Sequence, residues 1–141
     1  MAKLVAIFNK FKAQILYLIF GVSSTLVNII VYYIMHRLGS PYQFSYWMAW
    51  FWAVLFAYLT NRVWVFNSKA TGIKQISMEV INFYLARILT GLIGIGIMYI
   101  GVSLLHQNDL LWNLIQNVFV ILTNYALSKW FIFQAKEQIK K

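Results

Sequence analysis

The chain has 141 residues, 62% hydrophobic and only 11% charged, against roughly 25% charged in a soluble domain, so it has too little polar surface for a soluble monomer, and its length suits one domain over 1–141. The formal net charge is +9, but the basic residues lie mostly outside the apolar runs, so they read as topological signals at an anionic leaflet and exclude a nucleic-acid surface. The absence of cysteine excludes disulfides and thiol-based metal or redox chemistry; with His36 and His106 isolated and Glu79, Asp109 and Glu137 far apart, neither a metal site nor a cofactor is expected.

A spanning helix needs about 20 mostly apolar residues. Four continuous, non-alternating runs meet this requirement, which predicts an all-α integral membrane protein and no barrel. Residues 1–14 mix Lys3, Lys10 and Lys12 with Leu4, Ile7, Phe8 and Phe11, the pattern of a helix lying in the interface. The first span is predicted over 15–35; it is too long for a signal-peptide core of roughly 7–15 residues. A tight turn at 36–43 holds Gly39, Ser40 and the only proline, Pro41. The second span is predicted over 44–60, followed by a longer polar connection, 67–79, whose spaced Ile73 and Ile76 suit the membrane surface. The third, over 80–105, is long enough to tilt. After a short turn at 106–109 the fourth runs over 110–131. Two short turns make two helical hairpins. Lysines 3, 10 and 12, then Arg62, Lys69 and Lys74, then Lys129, Lys136, Lys140 and Lys141 flank one side of the spans, whereas the other side has only Arg37. Both termini and the central connection are therefore expected in the cytoplasm.

The hairpins read as a tandem repeat. The second helix ends NRVWVF at 61–66 and the fourth ends SKWFIF at 128–133, an offset of 67 that also pairs Tyr32 with Tyr99 and Tyr58 with Tyr125. Each hairpin starts and returns inside, so the repeats are parallel. The competing explanation is that any inner helix end favours a cation with aromatic neighbours.

Polar residues inside the spans are the main functional signal, because they are costly in hydrocarbon. On the fourth helix Asn113, Asn117, Asn124 and Ser128 fall within an arc of about 60°, flanked by Gln116. Such a stripe is either amide glue between helices or a polar translocation path; its length favours the path, to which Asn28 and Asn61 are added. On the first helix Gly21, Ser24, Thr25, Asn28 and Tyr32 share a small or polar face. On the third, Arg87 shares a face with Gly91, Gly94 and Gly101, glycines expected to permit close helix contact.

A cation at mid-helix costs roughly 2.5–3.5 kcal/mol on insertion scales. Arg87 either snorkels to the cytoplasmic interface or holds an anion. With Arg62 and Lys129 expected at the same leaflet and no acid within a span, a lipid phosphate is the expected ligand of Arg62, Arg87 and Lys129. The missing intramembrane carboxylate also excludes a proton-coupled cation exporter of the small multidrug type.

These residues resemble the GtrA-like family of small bacterial membrane proteins. The resemblance covers 18–133 and is carried by FGVSSTLVN at 20–28, AYLTNRVWVF at 57–66, Arg87, and NYALSKWFIF at 124–133. Two positions depart from the family's usual pattern: Asn28 stands where many relatives have an acid, and Lys129 replaces a more usual arginine, keeping charge without the bidentate fork. The resemblance implies movement of a polyprenyl-phosphate-linked sugar across the cytoplasmic membrane for O-antigen, teichoic-acid or other cell-wall glycosylation, with undecaprenyl phosphate as the expected carrier type. Partner glycosyltransferases would load and unload the lipid, and the chain itself would be a transporter without catalytic residues. The alternative is a membrane anchor or assembly subunit for a glycosyltransferase. Four short helices are few to enclose a sugar path, so a homo-oligomer is expected.

Overall fold

The computed structural model describes residues 1–134; Lys136, Glu137, Lys140 and Lys141, part of the charge count above, lie outside the described residues. Four α-helices follow one another: α1 (Ala2–Arg37), α2 (Tyr42–Thr60), α3 (Ile73–Met98) and α4 (Asp109–Leu127). The last three each run into a π-helical segment: Asn61–Val65, Tyr99–Leu104 and Ser128–Ile132. α1, α3 with its π segment, and α4 with its π segment are long and apolar enough to cross a membrane. The 19 residues of α2 owe their apolar character to aromatics such as Trp47, Trp50, Phe51 and Trp52, whose rings are large apolar bodies with polar edges.

The chain divides into two compact units, Met1–Ser68 and Lys69–Lys141. In the first, α1 is broken at Phe11, whose φ/ψ of −109°/17° is non-helical. The break separates the lysine-bearing Ala2–Lys10 stretch, exposed throughout, from the apolar length of the helix. α1 closes with a Schellman turn: the N–H of Ser40 bonds the Met35 carbonyl and that of Gly39 bonds the His36 carbonyl, both at 3.1 Å. Gly39 takes a φ of +83° there, open to glycine without a Cβ penalty, and Pro41 then starts α2. Along α2, Ser45, Ala49, Ala53 and Ala57 recur every four residues and all are buried. Phe20 stacks on Trp64 at 5.5 Å, and Tyr17 meets Phe66 edge-on at 6.4 Å, tying α1 to the end of α2.

In the second unit α3 begins at Ile73, seven residues before the predicted start at 80. IKQISME reads as loop by hydropathy but contains no residue that breaks a helix, and Gly72 supplies the extended N-cap. The short turn before α4 is capped by Asn108, whose side chain accepts from the N–H of Leu110 at 2.9 Å and of Leu111 at 3.2 Å. Trp112 donates from Nε1 to Gln107 at 2.7 Å across the same turn. α3 and α4 approach closely where α3 lacks side chains. A Cβ on Gly94 would lie 2.7 Å from Gln116 Oε1, and one on Gly101 would collide with the Trp112 ring. Gly91 and Gly96 face open space, so only two of the three glycines expected at a contact make one. Phe83, in the first half of α3, meets Phe133, just past the π segment that follows α4, at 6.0 Å.

Candidate functional site

The polar stripe of α4 divides into two halves. Asn113 and Asn117 are exposed on the N-terminal half of α4 and bonded to each other, Nδ2 of Asn117 to Oδ1 of Asn113, at 2.8 Å. Asn124, late in α4, and Ser128, at the start of the π segment that follows it, are buried. Asn124 meets the Thr90 hydroxyl of α3 at 2.9 Å, and Gln116, which precedes Asn117, lies against Gly94. The C-terminal half of the stripe thus binds helix to helix, and its N-terminal half leaves two amides exposed at the protein surface. Thr90 is the residue that the sequence pattern missed. Its spacing of three after Arg87 and four before Gly94 marks it as part of the α3 face that approaches α4.

The two π-helical ends carry the repeated motif, and their backbones match. Asn61–Val65 and Ser128–Ile132 each have five residues, lie 67 apart, and bury their first and last members. The next N–H closes each segment, Phe66 onto the Asn61 carbonyl at 2.9 Å and Phe133 onto the Ser128 carbonyl at 3.1 Å. π turns of this kind are rare and frequent at functional sites. Asn61 is 2% exposed, and its Oδ1 has no hydrogen-bond partner among the described residues. A buried acceptor left open costs about 1–3 kcal/mol. Asn28, the other expected path residue in this unit, is half-buried on α1.

The three cations belong to different units. Arg62 is half-buried in the π segment of the first; Arg87 is half-buried on α3 and Lys129 exposed in the π segment of the second. Arg87 sits 14 residues into α3, deeper in the helix than the predicted boundary implied, with its guanidinium carbon 5.1 Å from the Phe83 ring centroid. That contact holds the charge over an aromatic face and leaves the edge N–H groups able to donate. The earlier start of α3 also corrects the charge inventory. Glu79 is inside the helix and 4% exposed, so an acid does lie on a membrane-length helix, and it is engaged.

Within the second unit, a half-buried arginine, an exposed lysine and exposed amides on α4 lie on the same two packed helices. Over residues 16–133 the chain matches the family described as GtrA/DPMS, transmembrane domain. It is 36% identical over 124 residues to the cell wall teichoic acid glycosylation protein GtcA of Listeria monocytogenes, spanning 87% of this chain and 86% of that protein. The Listeria innocua protein of the same name is 35% identical over 124 residues, with the same two shares. A Bacillus subtilis protein described as uncharacterized membrane protein YwcD is 33% identical over 87% of this chain and 98% of its own length. The chain is a multi-pass membrane protein and belongs to the GtrA/DPMS transmembrane-domain family.

Proposed function

We propose that this protein moves a polyprenyl-phosphate-linked sugar from the inner to the outer leaflet of the cytoplasmic membrane, serving teichoic-acid or other cell-surface glycosylation. Arg62, Arg87 and Lys129 hold the lipid phosphate, and Asn28, Asn61, Asn113, Asn117, Asn124 and Ser128 offer hydrogen bonds to the sugar as it passes. The reaction partners are glycosyltransferases on either side, which make and break the glycosidic bonds; the chain itself performs no bond chemistry. It acts as one domain over 1–141, with four spans arranged as two tandem hairpins, both termini cytoplasmic, and a second copy completing the path.

The observation that carries this function is the α4 stripe. From Asn113 to Ser128 it runs about 22 Å at 1.5 Å per residue, most of the roughly 30 Å hydrocarbon core. Its outer amides are open to a ligand instead of being consumed by helix packing. The matching π segments, 67 residues apart, support the tandem arrangement, and the naming of the GtcA relatives as teichoic acid glycosylation proteins supports the substrate class. The deciding experiment reconstitutes the purified protein in vesicles with a fluorescent undecaprenyl-phosphate sugar in both leaflets. A membrane-impermeant quencher should reach the inner pool at a rate that depends on the protein. A rate equal to that of protein-free vesicles sinks the proposal.

One observation favours a second role, as an anchor for a glycosyltransferase. The amphipathic Ala2–Lys10 segment is exposed along its whole length and set apart from the span by the break at Phe11. Removing it should then release the enzyme from the membrane without changing lipid passage.

A further inference from the structure

We infer that the second unit holds the isoprenoid chain of its lipid in a lateral groove between α3 and the end of α4, an inference that rests on the lipid-phosphate function proposed above. The groove has a volume of about 620 Å³ and is lined by Leu85, Leu89 and Leu92 on α3 and by Leu127 and Phe131 at the end of α4. That volume is within the range of roughly 300–1,000 Å³ typical of small-molecule sites. Leu85, Leu89 and Leu92 are 56%, 54% and 61% exposed, so the groove is open along its side and a chain can enter from the bilayer.

Three features identify the occupant. The first is length. From Asn82, its polar lining residue, to Leu92 the groove follows α3 for about 15 Å, half of the roughly 30 Å hydrocarbon core and so one leaflet deep. The second is charge. Arg87 falls between the lining residues Ala86 and Ile88, and Lys129 between Leu127 and Phe131. An apolar channel with an amide at one end and cations on both of its walls' helices suits a chain with an anionic head, not a bare hydrocarbon. The third is periodicity. Leu85, Leu89 and Leu92 stand in a row about one helical turn apart, near 5.4 Å. An isoprenoid chain carries a methyl branch on every fourth backbone carbon, a comparable repeat, so its branches can seat between successive leucines. A straight acyl chain has no such feature to register.

The test uses the full chain in nanodiscs and three probes of one headgroup: dimethylallyl phosphate, which has a single isoprene unit, farnesyl phosphate, and dodecyl phosphate, which matches the farnesyl backbone without branches. A diazirine-bearing farnesol, lacking phosphate, is the fourth probe. Wild type should bind farnesyl phosphate more tightly than dodecyl phosphate, and the farnesol probe should crosslink to the 82–92 and 127–132 stretches. Leu89→Trp fills the groove at a position outside the core; it should weaken farnesyl phosphate about tenfold, the contact of roughly two buried methylenes. Dimethylallyl phosphate binding and crosslinking elsewhere should not change. Leu85→Trp should repeat the result if the first variant is poorly produced. Unaltered farnesyl binding and crosslinking in both variants overturns the groove. Equal binding of dodecyl and farnesyl phosphates, lost equally in the variants, overturns the isoprenoid assignment in favour of an ordinary acyl chain. If farnesol labels the groove but no phosphate binds better than the alcohol, the groove stands and the phosphate function proposed above fails.

Discussion

The hydroxyl of Thr90 lies 2.9 Å from the Asn124 side-chain amide and 2.9 Å from the Ala86 carbonyl, joining α3 to α4 inside the second unit. A hydroxyl has one proton to donate. Both contacts are satisfied when that proton goes to Ala86 and the Asn124 amide turns its NH₂ toward Thr90, an orientation that the hydrogen-bond network decides. Thr90→Val and Asn124→Leu should each lower unfolding stability in detergent. The double-mutant cycle should return a coupling of about 0.6–1.7 kcal/mol, the range for interhelical polar pairs in membranes. Additive losses would mean that the two residues act separately.

Asn117 differs in kind from Asn124. It is exposed and bonded within its own helix, so Asn117→Leu should leave stability unchanged to about 0.5 kcal/mol. Lipid-sugar passage should fall by up to about tenfold, the worth of one neutral hydrogen bond. Full passage in a well-folded variant would remove the Asn113 and Asn117 amides from the proposed path.

Arg87 tests the phosphate site. Arg87→Ala should weaken polyprenyl-phosphate binding by about 1.5–3 kcal/mol, the range for a hydrogen bond to a charged group, with protein levels near normal. Arg87→Lys should recover part of this, since the ammonium keeps charge but loses the fork. Unchanged binding in Arg87→Ala would assign the arginine to snorkelling.

The π segments allow an exchange. If Asn61 and Ser128 hold equivalent places, Asn61→Ser should fold, because serine already occupies that backbone in the second unit. Its unfilled acceptor disappears, so stability should hold or rise by up to about 1–3 kcal/mol. Passage should drop if the acceptor serves the sugar. A variant that loses stability would instead make Asn61 a structural residue.

Orientation is open to thiol labelling, since the native chain has no cysteine. Cysteines replacing Ser40 and Asn108 should react with an impermeant reagent on intact cells, and Thr71→Cys should react only after lysis. Labelling of Thr71→Cys from outside would reverse the topology.

The helices were legible because apolar runs of membrane length leave few alternatives. The fourth run, 110–131, agrees with α4 and its π segment, Asp109–Ile132, to within a residue at each end. The start of α3 was not legible. Ile73–Glu79 is polar enough to read as loop, but it holds no helix breaker and is helical although mostly exposed, and the misplaced boundary hid the burial of Glu79. The repeat at 61 and 128 was visible in residue types, but its π backbone was not, since a π turn leaves no periodicity within five residues. The stripe on α4 was visible as a face. Its division into a helix-binding half and an open half depends on Thr90, which lies on another helix and becomes a partner only on packing.

The unequal lengths within the second unit have a consequence for the surrounding lipid. α3 with its π segment has 32 residues and α4 with its π segment 24, about 48 Å against 36 Å, both exceeding a hydrocarbon core of roughly 30 Å. The short turn between them joins their ends on one side, so the surplus of α3 emerges at its N-terminal end, with Lys74 and Glu79. Hydrophobic mismatch is thus built into the unit, and bilayer thickness sets how far that end, with the cation-bearing stretch beyond it, rises from the acyl region. Thin bilayers will lift Arg87 toward the headgroups and thick ones will draw it down, making acyl-chain length a control variable for any activity that depends on that arginine.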